Sequence, residues 1–240
     1  MQGLTAAYVQ AGGAKIDTQA FDITIAQALL NGGGGGGLTK DGSGTLALSG
    51  ASTYTGTTTV NNGTLRVNSP GSLAAGSTVT VSGGTLGGTG TINGPVNVLG
   101  ATLAPGASAG TLTINNSLAL ADGSILEFEL NGTNTTVGGG INDLINGVTG
   151  LTLDGTLNII AAPLGSFDSV TGSEKWRLFD YTGALTDSGL VIGTHPTLPG
   201  TLTFSIDTST AGQVNLVVPE PATLAFVVLG GVGLLARRRR

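Results

Sequence analysis

Cysteine is absent from the 240 residues, histidine occurs once, aromatics make up 4% and charged residues only 10%. Without cysteine there are no disulfides and no thiolate chemistry. The compartment stays open, because an exported chain can draw its stability from repeats. The lone His195 precedes Pro196 in a Gly/Pro-rich stretch, so a histidine-based metal site or catalytic base lacks a partner, and a solvated loop residue is expected. A basic surface is missing too. Four of the nine cations are the terminal Arg237, Arg238, Arg239 and Arg240, and the others (Lys15, Lys40, Arg66, Lys175, Arg177) are scattered. Removing the four arginines from the net −5 leaves −9 on the rest, which excludes the basic footprint of a nucleic-acid binder. The 43 glycines would suggest low complexity, but an apolar fraction of 40% is too high for a disordered chain.

What remains is Gly, Thr, Asn, Val and Leu in short bursts. Gly-Thr-Leu recurs at 44–46, 63–65, 84–86, 110–112, 155–157 and 200–202, at spacings of 19, 21, 26, 45 and 45 residues. Gly63-Thr-Leu-Arg-Val67, Ser77-Thr-Val-Thr-Val81 and Gly110-Thr-Leu-Thr-Ile114 alternate apolar and polar residues as half-buried strands do. Asn61-Asn62-Gly63, Gly83-Gly84, Gly87-Gly88 and Asn93-Gly94-Pro95 punctuate them as turns. One short strand and a turn cannot bury an apolar face alone, and stacking the units solves that. A β-sandwich would also use short alternating strands, but the small repeated unit favours a solenoid. Aliphatic residues are expected inside, with Thr and Asn outside.

Leu38-Thr-Lys-Asp-Gly-Ser-Gly-Thr-Leu-Ala-Leu-Ser-Gly50 and Tyr54-Thr-Gly-Thr-Thr-Thr-Val-Asn-Asn-Gly-Thr-Leu-Arg-Val67 resemble autotransporter-associated β-strand repeats of passenger proteins. Leu103-Ala-Pro-Gly-Ala-Ser-Ala-Gly-Thr-Leu-Thr-Ile114 resembles the recurrent capping turn of that family. The resemblance runs from about 38 to 130 and implies an all-β, right-handed parallel β-helix exposed at the cell surface. The expected division is 1–37, an N-terminal strand region with a Gly-rich turn; 38–130, the repeats; 131–215, an irregular β cap or small β-sandwich carrying the only Trp, in Glu174-Lys-Trp-Arg-Leu-Phe-Asp-Tyr181; and 216–240, a tail.

That tail is the most specific segment. Pro219-Glu-Pro221 leads into Ala222–Ala236, which lacks charge, and then the four arginines. As a helix the apolar run would span roughly 22 Å against a hydrocarbon core of about 30 Å, short enough to need local thinning and snorkelling of the Arg stems. The positive-inside rule keeps Arg237–Arg240 cytoplasmic and places the body outside. The three parts in this order resemble the PEP-CTERM sorting signal. The resemblance implies export by a Gram-negative cell, Pro219, Glu220 and Pro221 as the recognition motif, one short transmembrane helix as a transient inner-membrane anchor, and processing by an exosortase before delivery to the surface or extracellular matrix. Such proteins start with a secretory signal peptide. Met1-Gln-Gly-Leu-Thr-Ala-Ala-Tyr-Val-Gln10 has neither a basic start nor an apolar core, and a true start further upstream is expected.

Other candidates are weaker. Glu127 and Glu129 share one side of a strand and could pair for sugar hydrolysis, although that spacing also decorates any exposed face. Asn142, Asp143 and Asp154 lack calcium-loop spacing and read as a structural turn. Gly32–Gly37 with Lys40 lacks the Ser or Thr and the helix of a phosphate loop and reads as a floppy or strained turn. Thr-x-Thr at 57/59, 78/80, 89/91, 111/113 and 201/203 would suit an ice- or polymer-binding face if three coils brought the pairs into register. No cofactor, no metal and no nucleic-acid partner is expected. The expected function is structural or adhesin-like, with extracellular polysaccharide as candidate ligand, and the alternatives are a carbohydrate-active β-helix enzyme or the Thr-faced binder.

Overall fold

The computed structural model describes residues 4–163 and 165–220, and all regular structure there is β. The apolar run Ala222–Ala236 expected to cross the membrane lies outside the described residues. Among the described residues no helix is long and apolar enough for that role.

The chain forms a parallel β-helix of three stacked sheets. The first holds eight strands, from Ala14–Asp17 to Leu185–Asp187; the second also eight, from Ile23–Ile25 to Val191–Ile192; the third seven, from Ser72–Leu73 onward. Ala7–Val9 and Leu29–Asn31 form a two-stranded parallel sheet in the first coils. On the first sheet Ala14 faces Leu38, Leu38 faces Thr58, Thr58 faces Val79, Val79 faces Val96, Val96 faces Leu118, Leu118 faces Leu151, and Leu151 faces Leu185. The coils therefore advance by 24, 20, 21, 17, 22, 33 and 34 residues, and the sheets run through residue 130 without interruption.

Alternation explains the core. On the second sheet Ile23, Leu46, Leu65, Leu86, Leu103, Leu126, Leu157 and Ile192 stack in one inward column. The six from Leu46 to Leu157 are wholly buried. Each Thr before these leucines points outward, because successive side chains take opposite faces of the pleat. Gly-Thr-Leu does not count coils, however. The copies at 44, 63, 84 and 155 enter the second sheet, the copy at 110 enters the third, and that at 200 lies in a loop. The tripeptide encodes a turn, an outward Thr and an inward Leu, with no information on which face follows.

The last coil is closed by a change of direction. Lys175–Tyr181 lies parallel to Leu144–Val148, but Gln213–Val217 pairs with it antiparallel, and Ser205–Asp207 extends the edge antiparallel again. Phe167, Trp176 and Phe204 cluster there, with ring centroids 5.5 to 6.2 Å apart. The expected C-terminal β cap is thus an antiparallel extension of the third sheet.

Several polar groups lie inside, against the expectation that Thr faces out. Lys40 does not sit in a turn; it points inward from the strand Leu38–Asp41 and is fully buried. Thr58 is also buried and shares hydrogen bonds with the Tyr54 hydroxyl (2.6 Å) and Ser77 Oγ (2.8 Å). This closed chain of hydroxyls satisfies groups that would otherwise be costly in an aliphatic lumen. Burial pushes the Tyr54 phenol up to about 12.

Candidate functional site

The outward side of the second sheet carries the most varied chemistry. Thr45, Thr64, Thr85 and Thr102 are in register on four consecutive coils, followed by Ile125 and Thr156. The neighbouring column runs Ala47, Arg66, Gly87 and Ala104. Glu127 follows Leu126, the partner of Leu103, and its own strand neighbour is Asn158. A cleft of about 240 Å³ opens over these columns, with Arg66 and Glu127 both on its lining.

The wall of the cleft is the Pro105–Ser108 turn, part of the segment that resembles a capping turn. It folds back so that Gly106 and Gly88 exchange backbone hydrogen bonds of 3.0 Å in both directions. A Cβ on Gly87 would come within 2.2 Å of the Ala104 carbonyl, so only glycine allows this approach. Ser108 Oγ donates to Glu129 Oε2 at 3.2 Å. Glu127 and Glu129 do reach the same side of the strand Ile125–Leu130, both partly exposed.

Asp143 closes the base of the cleft and is 1% exposed. Its Oδ1 accepts the Gly110 amide and its Oδ2 the Glu129 amide, both at 2.7 Å. Both oxygens therefore serve the backbone, tying the third sheet to the second. Asn142, equally buried, accepts the Asn131 amide at 2.6 Å and donates to the carbonyls of Asn134 and Thr136. Asp154 accepts the Gly155 amide at 2.7 Å. These three act as a stitched loop and a turn, and among the described residues no group of three or more acidic, His or Cys side chains could hold a metal.

Burial, aided by the charge of Glu129, pushes the Asp143 carboxyl up to about 7 despite its two amide donors. The unfolded chain releases this proton near the ordinary carboxylate range, so folding takes up a proton between about pH 4 and 7. Stability from this group is complete below that window and is lost as pH rises through 7, by about 4 kcal/mol at most. The expected result is a thermal midpoint that falls between pH 4 and 8 in the native chain and a much flatter profile in Asp143→Asn. Circular dichroism melts across that range check it, and parallel profiles would overturn it.

The remaining candidates disperse. Thr57/Thr59 and Thr78/Thr80 are in register on the first sheet for two coils only, since Gly37/Thr39 precede and Pro95/Asn97 follow. Thr91 pairs with Thr113 on the third sheet, and 201/203 lies outside the strands. The pairs thus fall short of three coils on any face. The longer threonine column at 45, 64, 85 and 102 was visible as a Thr-Leu repeat, with Ala101 replacing Gly in its fourth member. His195 stands over Phe204 at 5.3 Å, its Nδ1 donating to the Pro196 carbonyl at 2.9 Å. Of the sorting motif, Pro219 and Glu220 are exposed, immediately after Val218, which is buried with its amide on the Glu174 carbonyl at 3.0 Å. Pro221 and Arg237, Arg238, Arg239 and Arg240 lie outside the described residues.

The stacked parallel coils, closed at one end by antiparallel strands, are a capped parallel β-helix. Residues 38–67 match the passenger-associated transport repeat, and residues 217–240 match the PEP-CTERM protein-sorting motif. Over 115 residues, 48% of the chain, it is 51% identical to the adhesin BmaC autotransporter of Brucella suis biovar 1 (strain 1330). Over 130 residues, 53% of the chain, it is 35% identical to an extracellular serine protease of Serratia marcescens. These stretches span only 3% and 12% of the lengths of those relatives.

Proposed function

We propose that this chain is an exported surface or matrix protein of structural and adhesive type, whose β-helical body is displayed outside the cell and whose C-terminal segment directs its sorting and cleavage. The observation that carries this reading is the match of 217–240 to the sorting motif, beginning at the last body strand, so that Pro219 and Glu220 emerge exposed beside a folded body. The passenger repeat at 38–67 and the resemblance to an adhesin support the adhesive part. In this reading Pro219, Glu220 and Pro221 are recognised by an exosortase-type enzyme. Ala222–Ala236 holds the chain in the inner membrane until then, and Arg237–Arg240 stay cytoplasmic. The body itself then acts by binding, with extracellular polysaccharide as its ligand, and not by catalysis.

The test is the mass and location of the gene product in its own host, with and without Pro219-Glu-Pro221 replaced by alanines. The native protein should be recovered outside without its tail, and the variant should stay in the inner membrane at full mass. Native chain retained uncleaved in that membrane would reduce the tail to a plain anchor and sink the sorting reading.

A further inference from the structure

The cleft on the second sheet is unusual in having unpaired charges of opposite sign at its two ends. Neither Arg66 nor Glu127 has a hydrogen-bond or ion-pair partner among the described residues. They stand on strands three coils apart, about 14 Å at about 4.8 Å per coil. Too far to neutralise each other in water, they are left for a ligand, with Asp22 the one carboxylate near enough to feel the charge of Arg66. Between them Gly87 and Ala104 leave a floor without long side chains, and the Thr64 and Thr85 side chains flank it on successive coils. At the acidic end Glu129 joins Glu127, held by Ser108 on the turn that forms the wall.

This layout selects a ligand by elimination. A trough three coils long over a flat sheet suits an extended chain. A row of hydroxyls and carboxylates suits hydroxyl-rich rings, whose adjacent OH groups donate to carboxylates and accept from Thr. No aromatic side chain lines the cleft, so an uncharged sugar would lack a stacking platform. Charge must then supply the attraction. The body carries −9 without the four terminal arginines, and two of the cleft's carboxylates are partly exposed at one end, which favours a cationic chain. We propose that the cleft binds a linear amino-sugar polymer, with a free ammonium seated against Glu127 and Glu129 and with ring hydroxyls or a residual amide carbonyl reaching Thr64, Thr85 and Arg66. The proposal names the ligand class of the adhesive body and rests on that reading only for its biological setting, since the purified protein tests the cleft whether or not its tail is processed.

The experiment is calorimetric titration of the full chain, held in a neutral detergent without sugar headgroups, with a hexamer of glucosamine. A hexamer of galacturonic acid and hexalysine serve as competing probes. Glucosamine hexamer should bind, and less tightly as salt is raised. Glu127→Gln with Glu129→Gln should weaken it about tenfold or more with the circular dichroism spectrum of the fold retained. Asp122→Asn with Asp168→Asn, which removes the same charge from exposed sites outside the cleft, should leave the affinity within about twofold. Unaltered affinity in the glutamate variant, equal loss in the control variant, binding of hexalysine as tight as the sugar, or preference for the uronic acid would each overturn the assignment, as would failure of the glucosamine hexamer to bind.

Discussion

Trp176→Ala is expected to cost the body about 3–5 kcal/mol and to release its C-terminal cap while leaving the first coils folded. Trp176 is the largest wholly buried side chain among the described residues. It packs against Phe167 and Phe204, and its Nε1 donates to the Asn131 carbonyl at 2.8 Å. Asn131 directly follows the second-sheet strand Ile125–Leu130, so this one indole joins the antiparallel cap to the parallel coil. Truncation removes the ring, leaves a cavity between Phe167 and Phe204, and leaves the Asn131 carbonyl with only the longer bond from the Asn134 amide at 3.4 Å. In a solenoid each coil is stabilised mainly by its neighbours, so the loss concentrates at the end where it is made. Hydrogen exchange should rise over 175–217 and stay slow over 38–120, and a protease should cut near 195–204 first. Trp176→Phe, which keeps most of the ring and loses only the hydrogen bond and some volume, should cost about 1–2 kcal/mol. Even loosening across all coils would refute the local account.

The second large effect is at the opposite end. Lys40→Met should destabilise the first coils by about 3 kcal/mol, although it puts an apolar side chain into an aliphatic column. Lys40 stands between Ile16 and Val60, and its three ammonium donors are all used: on the Asp41 carbonyl at 2.8 Å, Gly42 at 2.7 Å and Asn62 at 3.1 Å. These carbonyls ring the corner where the chain leaves the first sheet for the second. The Asp41 carbonyl keeps the Thr18 amide as donor, but the other two would lose their only described donor. Two orphaned carbonyls cost about 1–3 kcal/mol each, against the gain of no longer burying a charge. Desolvation lowers the Lys40 pKa, and the charges of Asp17 and Asp41 oppose it. Denaturant melts of Lys40→Met and Lys40→Arg measure it. A methionine variant as stable as the native chain would show that the corner carbonyls find water instead.

Much of the coil was legible before its coordinates. Leu46, Leu65 and Leu86 come from three copies of one tripeptide and do stack, because a strand's inside and outside alternate residue by residue. The later coils were not legible as such. Their advances of 33 and 34 residues between 118 and 185 place extra chain in loops such as 131–143 and 162–174, where no periodicity survives. The same tripeptide at 110 entered a different sheet, because a face is assigned by the residues spent since the previous coil and by which neighbour offers its hydrogen bonds.

The sequence by itself determined the local rules of this protein and its destination. Period-two alternation, Gly- and Asn-bearing turns, the uncharged run Ala222–Ala236 and the Pro219-Glu-Pro221 and arginine motifs all depend on residues adjacent in the chain. Only the tertiary structure decided what those rules bring together: Arg66 and Glu127, 61 positions apart in the sequence and on the lining of one cleft; Asp143 bound to the amides of Gly110 and Glu129; Lys40 and Thr58 turned inward among aliphatic side chains. Each of those outcomes depends on how many residues separate one coil from the next, a register set by loop closure and inter-coil hydrogen bonds and not by local pattern.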